Sequence, residues 1–262
     1  MIGAIIGDIV GSRFEYNSIK SKEFLLFSIC CNITDDSITT MAISKALVSC
    51  KEDFSNLSEV TIKCLREFGK KRPAGYGQMF YEWLHSDNPQ PYNSYGNGAG
   101  MRVSPIGFIA KDLYECKKLS RMVTEITHNH PEGLKGAEAI AVCVWLARNG
   151  KSKNEIFEYV NNHYYNLNFK LKDLQENYKW FSTCQGSVPQ AIVCFLESEN
   201  FVDAIRNAIS IGGDSDTIGA MTGAIAEAYY GVPKYLQIIA KLYCPRSMFK
   251  YIKKLKKKFK LK

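Results

Sequence analysis

The chain has 262 residues, 46% of them hydrophobic, and a formal charge of +8, enough apolar content to bury one large core and too much for a disordered or fibrous chain. Its nine cysteines are odd in number and form no CxxC pair, which argues against a disulfide framework and for reduced thiols in a cytoplasmic compartment. The apolar opening, residues 1–10, is interrupted by Asp8 and followed by Arg13 and Glu15, so it is too short and too charged to span a bilayer and lacks the basic start of a secretory leader.

Within that opening Gly3, Gly7 and Gly11 recur every fourth residue, as Gly219 and Gly223 do far downstream. On two helices this spacing clears one face of side chains, and with polar flanks it predicts close backbone packing rather than membrane dimerisation. Helical apolar periodicity then runs through residues 39–50, 57–70, 113–126, 136–149, 153–164, 188–197, 201–211, 218–230 and 234–242. Loops rich in Pro and Gly are predicted at 72–77, 87–105 and 128–133. Strand signals are scarce and no repeat or low-complexity linker divides the chain, so the reading is one all-α domain over residues 1–249, monomeric, followed by a basic tail over 250–262. Eight lysines of that tail, with no acid among them, account for the whole net charge. Tyr251, Ile252, Leu255 and Phe259 recur at helical spacing inside it, as in a solvated helix end or in a basic helix that meets nucleic acid or an anionic surface.

Two acidic clusters, Thr34-Asp35-Asp36-Ser37 and Gly212-Gly213-Asp214-Ser215-Asp216-Thr217, each run directly into a helical segment. Thr, Asp and Ser are favoured helix caps, and first-turn acids suit the helix dipole. A cap needs one side chain, however, and each cluster supplies two carboxylates with hydroxyls. Such hard oxygen donors without His or Cys suit Mg²⁺, Mn²⁺ or Ca²⁺ rather than zinc or copper.

Taken in order, Gly7-Asp8-Ile9-Val10-Gly11-Ser12-Arg13-Phe14-Glu15, the Thr34 cluster, Tyr95-Gly96-Asn97-Gly98-Ala99-Gly100-Met101-Arg102, Thr127-His128-Asn129-His130-Pro131 and the Gly212 cluster resemble the ADP-ribosylglycohydrolase family over residues 1 to about 245. The resemblance implies an orthogonal helical bundle with two Mg²⁺ or Mn²⁺ ions in a central cleft, held by Thr34, Asp35, Asp36, Asp214, Asp216 and Thr217. Ser37 stands where the family usually has a second Thr; a hydroxyl is retained. The implied reaction is hydrolysis at the anomeric carbon of the distal ribose of ADP-ribose, releasing the modified acceptor, with ADP-ribosyl-arginine on protein as the first expectation. Glu15, Asp36 and Asp216 are the catalytic expectations, Glu15 also touching substrate. Asn97, Gly98, Gly100, Met101 and Arg102 would cradle the diphosphate and ribose, Arg102 alternatively anchoring the loop to a core acid. His130 would line the cleft, although a structural histidine fits the pattern as well, and Gly212 and Gly213 would also contact substrate. Serine-linked, acetyl-linked and nucleic-acid-linked ADP-ribose remain alternative substrates. Paired carboxylates also serve divalent-metal phosphohydrolases, and the family includes crystallins that share the fold. No G-x-S-x-G nucleophile motif is present.

Overall fold

At the centre of the computed structural model, which describes residues 1–261, two helices from opposite ends of the chain lie backbone against backbone. Helix α1 (Ile2–Gly11) is buried at every position, and α13 (Ser215–Tyr230) is buried from Ser215 through Glu227. Both are apolar nearly all round, the pattern of a helix enclosed on every side. The glycines set how near they come: a Cβ on Gly7 would fall 1.9 Å from the Gly219 carbonyl oxygen, and one on Gly3 would fall 2.1 Å from that of Gly223. The fourfold glycine spacing therefore has the packing function read from the sequence. At the outer end of the pair, Glu227 accepts from the Gly3 amide at 2.7 Å and from the Met1 terminal ammonium at 2.6 Å.

The other helices surround this pair. Helix α2 (Asp35–Ser49) touches both members and is covered on its far side by α3 (Leu57–Lys71) and α15 (Arg246–Lys258); α8 (Pro131–Arg148), α11 (Cys184–Leu196) and α12 (Phe201–Ser210) close around α13. Helices α6 (Ser104–Ile109) and α7 (Leu113–Thr124) pack on α8, and α14 (Lys234–Tyr243) packs on α1. The remaining helices are α4 (Gln78–His85), α5 (Gly98–Met101), α9 (Lys153–His163) and α10 (Leu171–Asn177). Among the described residues there are no strands, only an isolated bridge between Gly96 and Thr183. The architecture is the all-α single domain expected.

Several boundaries differ from the sequence reading. Helix α8 begins at Pro131, inside the predicted 128–133 loop, because proline is accepted at a first helical position and the His130 side chain caps it, accepting from Glu132 N at 3.1 Å. Helices α5 and α6 lie within or across the end of the predicted 87–105 loop, while α4 and α10 escaped notice because seven or eight residues give too few turns for a period to register. The basic segment folds as α15 and buries Met248, Phe249, Ile252 and Leu255; Lys262 lies outside the described residues.

Candidate active site

The N-terminus of α2, the N-terminus of α13 and the Gly-rich α5 loop meet at one cavity of about 400 Å³. Thr34 caps α2, its hydroxyl accepting from Asp36 N at 3.4 Å, so Asp35 and Asp36 stand in the first turn, where the dipole favours negative charge. Gly212 and Gly213, at φ +70° and +74°, turn the chain sharply into α13 and present Asp214 and Asp216 to the same space. Capping and cluster readings thus hold together for α2.

Asp8 joins the group from α1, and this is the residue the sequence reading passed over as a site member. It is fully buried, and its carboxylate accepts from Thr34 Oγ1 at 2.7 Å, Thr34 N at 3.0 Å and Ser37 N at 3.0 Å. Its sequence signals were an acid inside an otherwise apolar helix and its place in the Gly7–Glu15 motif, from which only Glu15 had been chosen. Carboxylate oxygens of Asp8, Asp36 and Asp216 converge within 4.8 Å, as do those of Glu15, Asp214 and Asp216. Asp216 belongs to both triads. Burial is the main cause that raises these carboxyls: it pushes Asp8 up to about 6 against the hydrogen bonds from Ser37 and Thr34 that lower it, and, with neighbouring carboxylates adding, it pushes Asp35 up to about 7 and Asp36 and Asp216 well above the usual range. Asp36 Oδ1 is buried without a hydrogen-bond partner. Hard oxygen donors, mutual repulsion and an orphaned carboxylate oxygen fit divalent cations.

Neighbouring side chains hold the acids in place. Asn97 Nδ2 donates to Asp214 Oδ2 at 2.6 Å and to Ser187 Oγ at 3.1 Å; Thr217 Oγ1 donates to Asp36 Oδ2 at 3.2 Å. Opposite the acids, Arg102 is 1% exposed and forms no ion pair with a core acid among the described residues. It donates through Nη2 to Thr127 Oγ1 at 2.5 Å and reaches His128 Nδ1 at 3.3 Å, while its Nε is unpartnered. With Nδ1 accepting, the hydrogen-bond network assigns the His128 proton to Nε2, beside Gly96 and Gly98. Burial first, and Arg102 second, hold this imidazole neutral.

The sequence-predicted residues divide by place. Glu15, Asp35, Asp36, Asn97, Gly98, Met101, Arg102, Asp214, Asp216 and Thr217 line the cavity, together with Tyr16, Tyr92, His128 and Trp180, which the reading had not chosen. Thr34 sits behind the wall as the α2 cap. Gly100 is a close-packing position, where a Cβ would lie 2.9 Å from Met221 Sδ. Gly212 faces Ser18 and Lys20, and Gly213 faces the Tyr178 ring. His130 caps α8 and contacts Tyr95, ring centroids 5.1 Å apart; its neighbour His128 is the histidine at the cavity. The deciding feature is the α8 start at Pro131.

Known proteins match this arrangement along nearly the whole chain. The ADP-ribosylglycohydrolase family model covers residues 1–259. The chain is 27% identical to mouse ADP-ribosylhydrolase ARH3, with 88% of this chain and 83% of that protein aligned, and 27% identical to the ADP-ribosyl-[dinitrogen reductase] glycohydrolase of Rhodospirillum rubrum, with 76% and 69% aligned. A solved structure, an ADP-ribosylglycohydrolase-related protein complex, shares the fold at a TM-score of 0.73 and 18% identity, covering 99% of this chain and 96% of that one. No helix of the described residues is long and apolar enough to cross a membrane. A family match spanning almost every residue, on a helical fold whose acid clusters converge, places the chain in the ADP-ribosylglycohydrolase family, whose members hydrolyse glycosidic bonds.

Proposed function

We propose that the cavity binds the ADP-ribose half of a modified acceptor and cleaves the bond at the distal ribose anomeric carbon, with two Mg²⁺ or Mn²⁺ ions held by Asp35, Asp36, Asp214, Asp216 and Thr217, and Thr34 at its edge. The observation that carries this is the pair of carboxylate triads sharing Asp216 beside a glycine loop and a neutral histidine. When bound, such a cation pair supplies positive charge for ribose hydroxyls and lowers the pKa of a water. Asn97 fixes Asp214, and Thr217 fixes one Asp36 oxygen. Gly98, which brings no side chain, lets a phosphate approach its N–H, whereas the Gly96 and Asn97 N–H groups already donate to Ser94 Oγ and Ser182 O. His128 Nε2–H donates into the same space and Arg102 supplies a buried positive charge behind it, both complementary to a diphosphate. Tyr16 and Trp180, 86% and 50% exposed, flank the opening.

In the reaction the C1″–acceptor bond breaks, water adds its oxygen to C1″, and a proton passes to the leaving acceptor. Glu15 faces Asp214 and Asp216 and is half-buried, with its carboxyl raised by burial, a suitable state for receiving and returning that proton. An acidic group at the acceptor end also favours a cationic leaving group, which makes ADP-ribosyl-arginine the first substrate to test. The assay is ADP-ribose release from arginine-, serine-, acetyl- and nucleic-acid-linked substrates, with Mg²⁺, Mn²⁺ or EDTA, for wild type and Asp35→Ala/Asp36→Ala. Cation-dependent release that the double variant loses supports the proposal, and the fastest linkage names the acceptor. Release of inorganic phosphate instead would move the cavity to phosphohydrolase chemistry.

A further inference from the structure

We propose that the outward face of α15 is a docking surface for the phosphodiester backbone of a nucleic acid, separate from the cavity. Lys250, Lys253, Lys254 and Lys257 stand at helical positions i, i+3, i+4 and i+7 and are all exposed, with exposed Lys260 beyond them. That spacing gathers four ammonium groups into one stripe about 10 Å long. None of them forms an ion pair among the described residues; Lys250 and Lys254 rest only on the Tyr251 ring, 5.2 and 5.5 Å from its centroid. Because the eight lysines from Lys250 onward equal the entire net charge, the rest of the molecule is formally neutral. The excess charge is therefore carried by the C-terminal segment, and an uncompensated cluster of this kind steers polyanions.

The stripe is held ready. Met248, Phe249, Ile252 and Leu255 are buried on the inner face of α15. Lys258 Nζ donates to Leu47 O at 3.0 Å and Val48 O at 3.2 Å, at the end of α2, and Phe259 stacks on Phe54 with centroids 6.4 Å apart. A preformed helix loses little further ordering entropy when its ligand arrives. The same packing separates two kinds of anionic partner. Membrane-surface helices sink their apolar face among acyl chains, and here that face is already used by the core. A duplex needs charge alone, and carries one negative charge per about 1.7 Å of axis. No residue of α15 lines the cavity, so the stripe is no part of the ADP-ribose site. It stands or falls independently of the chemistry there.

The test uses the full chain and a fluorescein-labelled 20-base-pair duplex of mixed sequence, read by anisotropy between 50 and 200 mM NaCl, beside a sedimentation assay with phosphatidylserine-containing vesicles. With four phosphates neutralised, wild-type affinity is expected to fall about a hundred-fold across that salt range. Lys250→Gln/Lys253→Gln/Lys254→Gln/Lys257→Gln should weaken binding at least tenfold at 50 mM and flatten the salt slope. Lys253→Gln/Lys257→Gln, which changes fewer positions, should remove about half the slope with an unchanged melting temperature. Absence of duplex binding at 50 mM, equal binding by the variants, or capture by vesicles alone would each overturn the proposal.

Discussion

Replacing Asp8 with Ala removes the acceptor of three hydrogen bonds from Thr34 and Ser37 and leaves their donors without a buried partner. Chemical denaturation is expected to show a loss of about 3 kcal/mol, since each orphaned buried donor costs roughly 1–3 kcal/mol. The carboxylates also give a pH signature. In the folded, ion-free chain Asp8 titrates at about 6 and Asp35 at about 7, chiefly through burial, against an unfolded value near 3.8. The folded form then holds protons that the unfolded form has released, so stability falls as pH rises through this window. Protein in EDTA should melt lower at pH 7.5 than at pH 5, and Mg²⁺ or Mn²⁺ should raise the melting temperature more at pH 7.5. Equal cation-induced shifts at both pH values would remove the cluster as a cation site. The two histidines part in a similar way: His128→Ala should slow turnover at least tenfold, while His130→Ala should cost about 1 kcal/mol of stability through a lost cap and leave turnover within twofold. The acid clusters were legible because two carboxylates beside hydroxyls exceed what capping needs. Asp8 was not, since inside an apolar helix an acid reads as an interruption, and which histidine reaches the cavity depends on a cap that sequence spacing leaves open.

At the level of helices, the glycine rows carry the sharpest expectation. Gly7→Ala would place a methyl group 1.9 Å from the Gly219 carbonyl oxygen, backbone that no rotamer change relieves. The variant is expected to lose about 3 kcal/mol or more, at the upper end of overpacking costs, and a soluble variant with wild-type melting would refute the α1–α13 contact. Periodicity located α3, α7, α9 and α12 within a few residues because each has one apolar and one polar face. It started α2 and α11 about four residues late, since polar first turns, Asp35-Asp36-Ser37 and Cys184-Gln185-Gly186, carry no apolar stripe. Helices α5 and α6 are short and carry Gly98, Gly100, Ser104, Pro105 and Gly107, residues of weak helix propensity, and are held by burial against α8 and α13.

Across the whole molecule, the site depends on a long irregular segment, residues 12–34, which carries Glu15 and is fastened by cations. Lys20 donates to the carbonyls of Tyr178, at 3.0 Å, and Ile211, and Arg206 donates to those of Lys22 and Phe24. These ties join the segment to α12 and to the turn at Ile211 that leads into Asp214 and α13, a relation among residues distant in sequence that no local pattern discloses. Lys20→Met should speed amide hydrogen exchange over residues 12–34 and weaken cation binding measured by calorimetry, whereas Lys20→Arg should restore part of both; unchanged exchange would show that the tie is dispensable.

The α1–α13 contact also bears on synthesis. On the ribosome, α1 is made about two hundred residues before the helix that fits it, which at roughly 5–20 residues per second leaves about 10–40 seconds in which an apolar helix has no groove to enter. A nascent chain of this design needs something to shelter that helix during the wait, and conditions that slow translation or deplete chaperones should lower its soluble yield before they affect the finished protein.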